Sequence, residues 1–130
     1  MTDRNGEWLL RPTTVWDLVE QRAAASPDRT ALHDEHGRTL TFRELRDEAE
    51  ATAVALTHLG VGPGSRVAWQ LPTRISTVLV MLALARLGAL QAPLLPLYRE
   101  RELSALLPPG RFDLLLVPEV LRGFDHAELA

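Results

Sequence analysis

Val15, Leu18, Val19 and Ala23 recur at helical spacing with Arg22 alongside, and Thr14 stands three residues before Asp17 in the manner of a capping box. The pattern predicts a helix that stops at Ser26-Pro27-Asp28. Two short runs, 30–33 and 38–41, follow with Asp34-Glu35-His36-Gly37 between them; this is turn chemistry and predicts a small hairpin. Thr41 and Glu44 then form a second capping box. Phe42, Leu45, Ala49, Ala53, Leu56 and Leu59 carry one apolar face on to Gly60, a natural helix terminator.

Beyond Gly60 the rhythm changes. Residues 66–71 form a short apolar strand, 73–87 a helix apolar on nearly every face, 90–95 another apolar run, 99–107 an amphipathic helix, and 113–117 a third strand. Strands apolar on both faces and joined by helices belong to a parallel sheet. The expected fold class is therefore α/β: a parallel β-α-β-α-β sheet with helices on both faces, preceded by a helix and a small hairpin. Pro72, Pro96 and Pro118 close the three strands and mark sharp exits from the carboxyl edge. The helix at 73–87 is expected to be the central core element. Near the end, Asp125 and Glu128 have the cap and N3 pattern of a further helix. Two expectations stand there, a frayed tail or a domain interrupted within its next helix.

Composition narrows the classes. The chain has 130 residues, 46% of them hydrophobic and 24% charged, which suits one globular domain or part of one. Its net charge is −3, with arginines and carboxylates interspersed, so nucleic acid and anionic membranes are not expected partners. All 14 basic residues are arginine. Without lysine there is no Gly-Lys-Ser/Thr phosphate loop, and arginine is a planar fork rather than a compact proton carrier. With no cysteine, disulfide, thiolate and sulfur redox chemistry are excluded, which fits a cytoplasmic location. The N-terminus lacks a signal-peptide core, and the most apolar stretch, 75–85, is about half the ~20 residues a membrane span needs.

Each motif that suggests chemistry has a plainer account. Gly60-Val61-Gly62-Pro63-Gly64-Ser65 follows a helix and opens a strand, the reverse of a dinucleotide fingerprint, so it reads as a turn. His33, Asp34, Glu35 and His36 straddle a turn instead of sharing a helix face, which favours a solvated loop over a metal site. His58 suits the negative end of its helix. Neither His58 nor His126 has a nucleophile and acid at recognisable spacing, and Ser65, Ser76 and Ser104 lie in no nucleophile elbow. The alternating charges of Arg99-Glu100-Arg101-Glu102 read as a solvated helix face, with a docking patch as the sharper alternative.

Five stretches in order nevertheless carry a family resemblance: TVWDLVEQRA at 14–23, SPDRTAL at 26–32, LTFREL at 40–45, LGVGPGSRVA at 59–68 and LARLGA at 84–89. Together they resemble the N-terminal portion of the adenylate-forming (AMP-binding) enzymes that include acyl-CoA synthetases. PLLPLYREREL at 93–103 is similar to the branch acting on fatty, medium-chain or cyclic carboxylic acids. One departure is Thr73-Arg74, where asparagine commonly follows the proline. The resemblance implies residues 1–13 as an N-terminal extension and 14–130 as a partial AMP-binding domain, an N-terminal subdomain of that fold.

It further implies a two-step ligase in which a carboxylic acid attacks ATP to give an acyl-adenylate and pyrophosphate, and coenzyme A then displaces AMP. ATP, magnesium and coenzyme A are implied for the full-length enzyme and none for this chain alone. The family's phosphate loop, metal-holding segment, ribose aspartate and adenylating lysine have no matching positions here. No catalytic, cofactor-binding or metal residue is therefore assigned, and the chain alone is expected to be inactive. A truncated ligase and a free-standing, non-catalytic α/β interaction module are both compatible with these residues. An exposed apolar face, open to self-association, is expected of the truncated form.

Overall fold

The computed structural model describes residues 11–129. Of the expected N-terminal extension, residues 1–10 lie outside the described residues; residues 11–13 fold back on the first helix, where Arg11 N donates to Gln21 Oε1 (3.1 Å) and Thr13 N to Asp17 Oδ2 (2.8 Å). Helix α1, Val15–Ala25, starts at Thr14, whose hydroxyl accepts from Asp17 N. The Asp17 carboxylate in return accepts from Thr13 N and not from Thr14 N, a shifted capping box. Bonds from Gln21 and from the Thr13 amide hold the Asp17 carboxyl below its ordinary range.

Strands β1, Thr30–His33, and β2, Thr39–Thr41, pair antiparallel as the turn chemistry requires. Helix α2, Phe42–His58, carries the full capping box between Thr41 and Glu44. Strand β3, Arg66–Trp69, helix α3, Ile75–Arg86, strand β4, Leu90–Pro93, helix α4, Glu100–Leu106, and strand β5, Leu114–Leu116, complete the predicted alternation. The sheet is parallel with order β4-β3-β5, and Val67, Ala68 and Trp69 are in register with Leu114, Leu115 and Leu116. The chain steps from β3 to β4 in one direction and from β4 to β5 in the other. Right-handed crossovers then put α3 and α4 on opposite faces.

Two apolar clusters hold this frame. Trp16, Val19, Leu40, Leu45, Ala49, Ile75 and Leu79 join α1, α2, the hairpin and the start of α3. Ala53, Leu56, Val61, Val67, Trp69, Ala83 and Leu84 join α2 and α3 to the sheet. Helix α3 is less central than its sequence suggests. Ala83 and Leu84 are wholly buried, whereas Leu82 is half-buried and Met81 is 40% exposed. An all-apolar helix hides only the sides its neighbours cover, and α1, α2 and the sheet leave one side free.

At the opposite edge from the strand exits, Arg66 and Asp113 bind the outer strand β5 to β3. Arg66 N and Nη2 donate to the two carboxylate oxygens at 2.7 and 2.9 Å, while Asp113 N returns a bond to Arg66 O at 2.8 Å. The guanidinium holds the Asp113 carboxyl below its usual range. The chain continues into an unforeseen hairpin, β6 Val120–Leu121 with β7 Phe124–Asp125. Its two-residue loop, Arg122-Gly123, has φ of 52° and 75°, the left-handed pair a tight hairpin turn needs. The tail ends as α5, His126–Leu129, capped by the Asp125 carboxylate on Glu128 N (2.8 Å).

Candidate functional site

Two of the proline-marked strand exits and the tail converge on one cleft. Pro72, Thr73 and Arg74 come from the β3 exit, Leu95, Pro96, Leu97 and Arg99 from the β4 exit, and Leu121, Arg122 and His126 from the tail; together they line a cavity of about 570 Å³. The carboxyl edge of a parallel sheet, where successive connections leave in opposite directions, is where such folds take ligands. Arg74 also stands at the N-terminal end of α3, so the helix dipole adds to its charge. Three arginines and no aspartate or glutamate line the cleft.

Beneath it lies a buried polar hub. Gln70 is fully buried; its Nε2 donates to Leu95 O (2.8 Å) and Tyr98 O (2.9 Å), and its backbone N donates to Leu116 O (2.9 Å). These two carbonyls fix the amide, because a flipped side chain would set its oxygen against both. Oε1 is thereby left as an acceptor. His126 is 1% exposed and its Nδ1 lies 3.2 Å from that oxygen, so Nδ1 carries the proton and donates. Among the described residues, the other ring nitrogen has no partner.

Arg99 braces the second wall. Its Nη1 donates to Pro96 O and Tyr98 O, both at 2.9 Å, and its guanidinium lies 3.9 Å from the centre of the Phe124 ring. Phe124 in turn meets His126 edge-on, with centroids 5.1 Å apart. The reading of residues 99–102 as a uniformly solvated face therefore needs correction at Arg99, which turns inward, while Glu100 and Arg101 stay exposed. Glu102 caps the helix by accepting from Arg99 N (3.0 Å), and this bond keeps its carboxyl below the ordinary range.

The other candidates stay apart from the cleft. His33 and His36 are exposed beside a turn that Asp34 closes, its Oδ1 accepting from His36 N and Arg38 N at 2.9 Å each. His58 is in the last turn of α2. Ser65 Oγ accepts from Gly62 N (2.9 Å), so the Gly60–Ser65 segment is a self-bonded turn from α2 into β3. Ser76 and Ser104 are exposed on α3 and α4. What sequence reasoning missed is the set Gln70, His126 and Arg122. Gln70 directly follows β3 in a run that is apolar from Val67 to Leu71 apart from it, and that lone amide was the available signal.

Comparison with known proteins accords with this geometry. The AMP-binding enzyme family model matches residues 19–130. The chain is 41% identical over 125 residues to the 2-hydroxy-7-methoxy-5-methyl-1-naphthoate–CoA ligase of Streptomyces carzinostaticus, covering 96% of this chain and 22% of that protein. It is 33% identical to the medium-chain fatty-acid–CoA ligase of Escherichia coli, covering 87% and 20%. The N-terminal subdomain of Klebsiella oxytoca NpsA with anthranilyl-AMSN superposes with a TM-score of 0.78 at 26% identity, over 86% of this chain and 29% of that one. The chain thus spans about a fifth of the length of these curated relatives. It belongs to the AMP-binding enzyme family, as a portion of its N-terminal subdomain.

Proposed function

We propose that the chain is a scaffold and anion-binding portion of an ATP-dependent ligase that activates a carboxylic acid for transfer to coenzyme A, with residues 14–130 as a partial AMP-binding domain. The observation that carries this is the cleft in which Arg74, Arg99 and Arg122 converge without a carboxylate at the carboxyl edge of the sheet. Phosphate-bearing co-substrates such as ATP or coenzyme A suit such a wall, since guanidinium forks match phosphate oxygens. Among the described residues no three histidine, aspartate or glutamate side chains converge. When bound, ATP supplies an adenylyl group and magnesium neutralises charge at its phosphates.

This chain's own residues bind and orient. The sequence has no lysine to supply the adenylating ammonium, so the chain alone is proposed to be inactive. Leu90, Leu95 and Leu97, 63, 57 and 70% exposed along the outer strand β4 and its exit, are proposed to be covered by the remainder of a ligase or, without it, by self-association. No helix among the described residues is long and apolar enough to cross a membrane. The absence of cysteine supports a cytoplasmic setting.

A chimera tests the proposal. With this chain substituted for the matching segment of the naphthoate–CoA ligase, a folded chimera should still form a thioester from its acid, ATP and coenzyme A. Arg122→Ala in that chimera should raise the KM for a phosphate-bearing co-substrate about tenfold, the equivalent of about 1.4 kcal/mol. A folded chimera that makes no thioester, or an Arg122→Ala form with unchanged KM for both ATP and coenzyme A, would count against it.

A further inference from the structure

We infer that His126 is a proton-switched fourth positive charge of the arginine cleft, so that the cleft binds anions more tightly as pH falls; this rests on the reading of the cleft as an anion site. The geometry assigns the role. His126 lines the cleft while almost wholly buried, and Gln70 Oε1 receives its Nδ1–H at 3.2 Å. Gln70 cannot turn to offer a donor instead, because Leu95 O and Tyr98 O occupy its amide hydrogens. The neutral ring is thereby locked as the Nδ1–H tautomer. A second proton can enter only at Nε2, which leaves the Gln70 bond intact and the tail in place.

The charges around the ring set the sign. Arg74 from the α3 start, Arg99 from the β4 exit and Arg122 from the hairpin turn share the cleft with it. All three are cations at every pH between about 5 and 8. Glu119, Asp125 and Glu128, the nearby carboxylates of the tail, are exposed and line no part of the cleft. Phe124 meets the ring edge-on and offers no charge. An anion in the cleft favours the protonated ring, and by linkage a ligand that draws a proton onto His126 is itself bound more tightly where that proton is available. Histidine is the side chain whose charge changes between about pH 5 and 8, whereas arginine stays charged throughout.

Sulfate is the probe, because its own charge is constant over this range. The full chain is titrated with sulfate between about pH 8 and 5.5, following its histidine ring nitrogens by NMR. The expected result is a rise in affinity toward acid, by no more than about tenfold per pH unit, the limit for one linked proton, with the His126 ring becoming protonated as sulfate binds. His126→Asn, whose amide can replace Nδ1–H toward Gln70, should bind with an affinity that does not change with pH. Equal affinity of the unsubstituted chain at every pH would overturn the inference and leave the anion cleft standing. No sulfate binding at any pH would overturn the anion cleft and the inference with it.

Discussion

Leu84→Asp is expected to unfold the chain. Leu84 is wholly buried in the cluster where α2 and α3 meet the sheet, beside Ala83, Val67 and Trp69. An aspartate there has no partner, and its charge or its protonated carboxyl must leave water at a cost of several kcal/mol. Domains are stable by only about 5 to 15 kcal/mol, so the loss consumes most or all of that margin. Far-UV circular dichroism against urea should show no cooperative transition. Soluble protein with an unchanged midpoint would mean that the α3 face at Leu84 is open to water. Leu82→Asp should be milder, because Leu82 is half-buried.

Gln70→Leu is the second large effect, of a different kind. Volume is nearly kept, but Leu95 O, Tyr98 O and His126 Nδ1–H lose their partner in a buried place. Each orphaned group costs roughly 1 to 3 kcal/mol, and a total of about 3 to 5 kcal/mol is expected once the loop relaxes. The damage should be local at first. Hydrogen exchange should quicken in the β6–β7 hairpin and α5, which are held on the sheet edge through His126, before it quickens in α2. A destabilisation below about 1 kcal/mol, with exchange in the tail unchanged, would show that the amide does not clasp these segments.

The alternation of elements was legible because it is written locally. Thr14, Thr41 and Gly60 punctuate the helices, and the apolar runs at 66–71, 90–95 and 113–117 carry their own strand signal. Boundaries moved inward by a residue or more because prolines and caps act over single residues: α3 begins at Ile75, after Arg74 as cap, and β3 stops at Trp69. The candidate site was not legible in the same way. Gln70 and His126 are 56 positions apart, and each alone resembles a stray polar residue. Arg99 was hidden in an alternating charge run, and its bonds to Pro96 O and Tyr98 O with its packing on Phe124 distinguish it from the exposed Arg101. The β6–β7 hairpin has strands of two residues each, too short for any alternation to register. Its one sequence signal was Gly123, next to an arginine held at positive φ.

The central claim is that this portion of an AMP-binding enzyme binds anions but cannot by itself transfer an adenylyl group. ATP–pyrophosphate exchange tests it most directly. The purified chain, given ATP, magnesium, labelled pyrophosphate and a panel of aryl and medium-chain carboxylic acids, should return no label to ATP above a heat-inactivated control. Acid-dependent label in ATP that co-purifies with the chain, and disappears in Leu84→Asp protein, would contradict the account.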